Sequence, residues 1–166
     1  MVLVIFSYSA LLYNKTMHTN KRGKIQYIEA GAEMKDYINR EWGELYARHM
    51  HIDDGFAIVA VHNDQPVGLI SVYWRTLPAP LPDTLEGYID IIEVREGHRR
   101  GGIATALVEV SAQRALEKGA YQLRAWSSDN KTEAIPMWKA LGFGLCPATV
   151  YPKGEEVHGY YVTKIL

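Results

Sequence analysis

Apolar and polar residues alternate along residues 24–29, with Ile25 and Tyr27 on one side and Lys24 and Gln26 on the other, which predicts a half-buried β-strand. The period then changes. Across residues 33–50, Met34, Ile38, Trp42, Leu45 and His49 recur at helical spacing and predict one amphipathic helix or two. Residues 56–62 and 67–73 are apolar runs around Asn63-Asp64-Gln65-Pro66, the composition of a hairpin turn. Pro78, Pro80 and Pro82 forbid a helix and make residues 75–83 a stiff loop.

Residues 85–94 read as a long strand and residues 103–118 as a helix. One stripe of that helix carries Ile103, Leu107 and Val110, and another carries Ala104, Val108, Ala112 and Ala115, so both sides need covering. It ends in Lys118-Gly119, a basic last turn followed by a glycine suited to the position after the cap. Residues 121–126 predict another strand, and Ser127-Ser128-Asp129-Asn130 offer caps for a short helix closing at Leu141-Gly142-Phe143. Pro136 implies that this helix starts late, near Thr132, or kinks. Residues 157–165 are the final strand. Strands and helices in this order imply an α/β (α+β) domain, a mixed central sheet flanked by helices.

A length of 166 residues suits one domain with a core of its own. Hydrophobic residues make up 48% and charged residues 22%, so a folded chain is expected. The formal net charge of −1 argues against a nucleic-acid partner, whose protein carries a basic excess. Cys146 stands alone and cannot form an internal disulfide, which fits a reducing, cytoplasmic setting. The first thirteen residues are largely apolar but too short to span a bilayer, and no Lys or Arg precedes Lys15 as a signal peptide would require. Residues 1–23 are therefore expected to be an apolar extension or arm, with Met17 as an alternative start, and residues 24–166 the single domain.

Chemistry concentrates where the long strand meets the long helix, in Val94-Arg95-Glu96-Gly97-His98-Arg99-Arg100-Gly101-Gly102-Ile103-Ala104-Thr105. Gly101 and Gly102 tolerate φ > 0, so amides can converge on an anion at the positive end of the helix dipole. Arg99 and Arg100 add donors suited to phosphate oxygens. No Gly-Lys-Ser or Gly-Lys-Thr occurs, which excludes a P-loop, and Gly97, Gly101 and Gly102 have the wrong separations for a dinucleotide fingerprint.

The remaining pattern, R-x-x-G-x-A at Arg99, Gly102 and Ala104, resembles the pyrophosphate signature of the GNAT superfamily of acyl-CoA-dependent N-acetyltransferases. Glu96 stands where that family commonly has proline. Asn130, Ala134, Trp138 and Leu141-Gly142-Phe143 are similar to its last block, and the element order is similar too. The resemblance implies a GNAT-like fold in which the strands on either side of the long helix part and hold the pantetheine arm between them. It implies acetyl-CoA (coenzyme A) as co-substrate and no metal. Gly101, Gly102, Ile103, Ala104 and Thr105 would then present the phosphate-binding turn, with Arg99 and Arg100. Ile92 and Val94 would pair with pantetheine, the amide near Val94 would meet the thioester oxygen, and Asn130 and Trp138 would approach the cofactor arm.

Transfer to an amine requires a neutral nucleophile and a stabilised oxyanion. Asp90 and Glu93 are the candidate catalytic residues, because both lie in the otherwise apolar strand 87–94 and the family often carries a carboxylate at the place of Asp90. Burial of Asp90 at the gap would raise its pKa toward the useful range. Trp138 replaces the tyrosine with which many members protonate the thiolate, and indole supplies no proton. Tyr88, Tyr151, Tyr160 and Tyr161 are the other phenols that would approach. His49-Met50-His51-Ile52-Asp53-Asp54 resembles a metallo-hydrolase motif without its last histidine, and is read as a helix end with an acidic loop that attracts a cationic amine.

The expected activity is acetyl transfer from acetyl-CoA to the primary amine of a small molecule, with no nucleic acid or membrane partner and with homodimerisation open. Two other readings are a non-catalytic acyl-CoA-binding module and a nucleic-acid protein using Arg95, Arg99 and Arg100. The acceptor pocket is expected among residues 42–51, 78–82 and 151–160.

Overall fold

The computed structural model describes residues 17–20, 23–81 and 83–166. The arm expected before Met17 lies outside the described residues. In chain order come β1 (Met17–Asn20), β2 (Gly23–Glu29), α1 (Ala32–Glu41), α2 (Glu44–Arg48), β3 (Gly55–His62), β4 (Gln65–Thr76), β5 (Leu85–Val94), α3 (Ile103–Glu117), β6 (Gln122–Ser128), α4 (Ala134–Ala140), β7 (Gly144–Val150) and β8 (Val157–Ile165). The strands form one sheet in the order β1-β2-β3-β4-β5-β6-β8-β7. All neighbours are antiparallel except β5 and β6, whose parallel pairing requires the α3 crossover between them.

Core residues lie on both faces of this mixed sheet. On one, Phe56, Ile58, Ile70, Val72 and Ile89 meet Ile103, Leu107 and Val108 of α3. Gly68 lets that helix come close, since a Cβ there would stand 2.9 Å from Ile103 Cγ2. On the other face Ala57, Val59 and Leu69 meet Ile38 and Met50. The apolar stripes of α3 account for its position: Ile103, Ala106, Leu107, Val108, Ser111 and Ala115 are all buried.

Several local expectations change. The periodic run at 33–50 is broken into two helices at Gly43, whose φ of +106° no β-carbon would favour. Helical structure ends at Arg48, leaving His49 as a cap. The hairpin turn is confined to Asn63 and Asp64, both at positive φ, while Gln65 and Pro66 already belong to β4. Two strands for which no residue range was expected, β1 and β7, lengthen the sheet at its ends.

The expected cap of α4 by residues 127–130 is not formed. Its N-cap is Glu133, without a side-chain bond, and Pro136 sits in the first turn, where a missing N–H costs nothing within the helix. Ser128 Oγ instead donates to Asn130 Oδ1 at 2.8 Å. The far end is built as the sequence implies: Gly142 adopts φ +80°, Phe143 N–H donates to Trp138 O, and Gly142 N–H donates to Lys139 O.

Candidate active site

Along β5 the pairing with β6 stops early. Only Glu86, Gly87 and Tyr88 are matched, to Gln122, Leu123 and Arg124, although β5 continues to Val94 and β6 to Ser128. The cause lies on the other side of β5. Ser71 pairs with Ile91 and Val72 with Ile89, so Asp90 is an extra residue in a β-bulge. A bulge bends its strand and re-aims the side chain it carries. Meanwhile β6 stays bound to β8 over seven pairs, and the two strands separate into an open cleft.

At one end of this cleft, α3 begins. Gly102 is its N-cap with φ +83°, and an added Cβ would find no atom within 4 Å, so the space before it is open. The amides of the first turn have no acceptor within the helix and point along its positive end. Arg100 also adopts a positive φ, of 60°. Arg99, expected at the phosphates, is bonded to the end of β5 in this structure. Its Nε donates to Val94 O at 2.9 Å and its guanidinium lies 2.9 Å from Glu93 Oε1. The same Glu93 oxygen accepts from Val94 N–H at 3.2 Å. Val94 is thus covered by both side chains, and Glu93, a candidate base, is an ion-pair partner here.

Arg95 is tied down elsewhere, with its guanidinium 4.4 Å from the Trp42 ring centre and donating to Glu41 O at 3.1 Å. Asn130 is exposed beyond the end of β6. Trp138, expected against the cofactor arm, is only 4% exposed. It packs edge-on to Phe143, ring centres 4.8 Å apart, as the apolar contact that accompanies the glycine-ended helix. Its place in the block W-x-x-L-G-F therefore has a packing cause.

Asp90 projects toward the α2 side of the sheet. Its Oδ2 lies 2.6 Å from His49 Nδ1 and 2.9 Å from His51 Nε2. Burial would push this carboxyl up, as the sequence reading expected, but the hydrogen bonds and charges of His49 and His51 outweigh it and hold the group below its ordinary value. The expected rise is thus reversed by neighbours that the strand pattern did not reveal. His51 is fixed from three sides: its Nδ1 faces Asp54 Oδ1 at 2.9 Å, its backbone N–H donates to Ser71 Oγ at 2.9 Å, and its ring lies 4.6 Å from that of Tyr73. Tyr73 in turn meets Tyr88 at 5.2 Å.

The histidines set aside as a helix end are thereby part of the site. Their clue in the sequence was the H-x-H spacing, but nothing local said that it would meet Asp90. No group of three or more His, Cys, Asp or Glu side chains among the described residues is arranged to hold a metal ion. Behind Tyr88, the wholly buried Glu86 lies 3.2 Å from Arg75 Nε and 3.4 Å from the Arg124 guanidinium. Of the expected phenols, Tyr151 is exposed, Tyr160 packs against the core, and Tyr161 meets Trp126 edge to face with ring centres 5.0 Å apart.

A family model described as the acetyltransferase (GNAT) family matches residues 24–143. This chain belongs to that family. Solved structures share its architecture at low identity. The GNAT domain of S. lividans PAT superposes with a TM-score of 0.67 at 16% identity, covering 92% of this chain and 97% of that one. Arabidopsis thaliana NAA60 in complex with acetyl-CoA gives 0.69 at 14%, covering 86% and 99%. A GNAT family acetyltransferase from Elizabethkingia anophelis with acetyl-CoA bound gives 0.59 at 18%, covering 86% and 98%. No curated protein sequence matches the chain. The fold is therefore that of the GNAT acetyltransferases, and among the described residues no helix is long and apolar enough to cross a membrane.

Proposed function

We propose that this protein transfers the acetyl group of acetyl-CoA to a primary amine by direct attack in a ternary complex. The observation that carries this reading is the parting of β5 and β6 beside the open start of α3. The cleft exposes a strand edge for a pantetheine-like arm, and the cradle at Gly102 suits a pyrophosphate because nothing fills it. Acetyl-CoA on the same fold in the NAA60 and Elizabethkingia structures supports the choice of co-substrate.

In this reading the amide of Val94 meets the developing oxyanion once Glu93 swings off it, and Arg99 and Arg100 turn to the phosphates. Ile92 and Val94 border the arm, with Ile103, Ala104 and Thr105 donating at the helix start. The amine nitrogen bonds to the acetyl carbon as the carbon–sulfur bond breaks. Two protons leave the nitrogen, one to the thiolate and one to solvent. A thiol pKa of about 8.5 makes the thiolate an adequate leaving group, so Trp138 in place of a phenol does not prevent turnover. The acceptor lies on the α2 side of the sheet, near Asp90, Tyr73 and Tyr88, which suits a small or medium amine with an apolar portion. The exposed, unpaired Cys146 agrees with a reducing, cytoplasmic setting.

Release of free thiol from acetyl-CoA, measured with spermidine, tyramine, lysine and a short peptide as acceptors, tests the reading. Amine-dependent release with an acetylated product is expected. Thermal protection by acetyl-CoA without release for any acceptor would instead make the protein a CoA-binding module.

A further inference from the structure

We propose that the proton of the acceptor ammonium is taken by His49 Nε2, and that Asp90 and His51 are positioning groups for that imidazole. The inference rests on the acetyltransferase reading and specifies the chemistry of its acceptor side.

Hydrogen bookkeeping carries the assignment. An ionised carboxylate brings no hydrogen, so every imidazole nitrogen that bonds to one must carry its own. His51 has Asp54 at Nδ1 and Asp90 at Nε2, each at 2.9 Å. Both of its nitrogens are then donors and the ring is an imidazolium with no lone pair to offer. Asp90 Oδ2 accepts from two rings at once, beside that cation. Such an oxygen is a poor proton acceptor, in line with its lowered pKa.

His49 differs from both. Its Nδ1 donates to Asp90 at 2.6 Å, while no bond to Nε2 is found among the described residues and the side chain is 35% exposed. In the neutral ring the lone pair therefore sits on Nε2, the tautomer being set by Asp90. This is the division of labour in which a carboxylate orients an imidazole and stabilises its charged form without itself taking the proton. The bulge places the pair beside the cleft, because Asp90 is the second residue beyond the last β5–β6 match. Around the imidazole, β5 contributes Asp90, the loop after α2 contributes the His51 cation with Asp54 behind it, and β4 contributes Tyr73 against His51. From α1, Lys35 Nζ donates to Met50 O at 2.8 Å and so fixes the segment between the two histidines.

The step balances. The ammonium gives one proton to His49 Nε2, the freed lone pair forms the carbon–nitrogen bond as the carbon–sulfur bond breaks, the second proton leaves the nitrogen for the departing thiolate, and the imidazolium keeps its Nδ1–H on Asp90 until its Nε2 proton passes to water.

Comparison of kcat/KM against pH for the parent, His49→Asn and Asp90→Asn tests the assignment with one acceptor amine. His49→Asn is expected to lose about a hundredfold or more at neutral pH, to keep the parent KM for acetyl-CoA, and to recover as alkali frees the amine. Added imidazole should restore part of the activity of His49→Gly. Asp90→Asn should displace the acidic limb but retain it. An acidic limb that stays at the parent's pH in His49→Asn and vanishes in Asp90→Asn would return the base to Asp90.

Nitrogen NMR of histidine-labelled protein gives a reading that needs no turnover, with His49→Asn and His51→Asn supplying the peak assignment. The expected pattern is a bare Nε2 on neutral His49 and two protonated nitrogens on His51. A lone pair on His51, or Nε2–H on neutral His49, would overturn the proposal even in a chain that acetylates its amine. Absence of turnover in the parent with the expected NMR pattern would sink the enzyme reading, and the base assignment with it, while leaving the hydrogen-bond geometry standing.

Discussion

At Asp90 two opposing effects meet, and their balance has a consequence for stability. Partial burial disfavours the charged carboxylate, but two imidazole hydrogen bonds and their charges favour it more, so the folded group titrates below its ordinary value. As pH falls through the ordinary carboxyl range the unfolded chain takes up this proton and the folded chain does not. The contribution is therefore present above that range and is lost as pH falls through the depressed folded value. Thermal unfolding of the parent and Asp90→Asn across this range is expected to show a stability gap that narrows with acid. A gap of constant size down to the acid limit of folding would mean that Asp90 carries no such linkage.

The elements show the same dependence on neighbours. The sequence signal at Trp138, Leu141, Gly142 and Phe143 marks the end of a short helix, and the structure gives Trp138 a packing partner beside the cofactor contact expected of it. Trp138 and Phe143 sit where a helix closed by a left-handed glycine brings an apolar pair together, and both are buried. Trp138→Ala should accordingly cost about 3–5 kcal/mol of stability, the usual loss for emptying a large aromatic site. Denaturant unfolding measures it directly. A loss below about 1 kcal/mol, with weakened acetyl-CoA binding in its place, would restore the cofactor-facing role. In β5, an apolar run carrying two acids identified a strand, yet the bulge at Asp90 changes which residues share a face: Ile89 joins the α3 side and Ile91 the α1 side. No periodicity count over ten residues contains that shift, because it is defined by Ser71 and Val72 of the neighbouring strand.

For the molecule as a whole, acetyl-CoA should raise the unfolding temperature in proportion to the logarithm of its concentration above Kd, as any ligand that binds only the folded chain does. Gly102→Val places a branched side chain in the open space before α3, at a φ of +83° that valine strongly disfavours. It should remove that protection. A folded Gly102→Val protein protected as well as the parent would show that the start of α3 does not hold the pyrophosphate. By itself, the sequence determined the alternation of strands and helices, the glycine-ended helices and the glycine-rich turn before α3, because each depends on residues within a few positions of one another. Tertiary structure alone decided that His49 and His51 meet Asp90, 41 and 39 residues away, and that Glu93 pairs with Arg99. Those contacts depend on strand register and on where α2 stops, and a shift of one residue in either would aim the same side chains elsewhere.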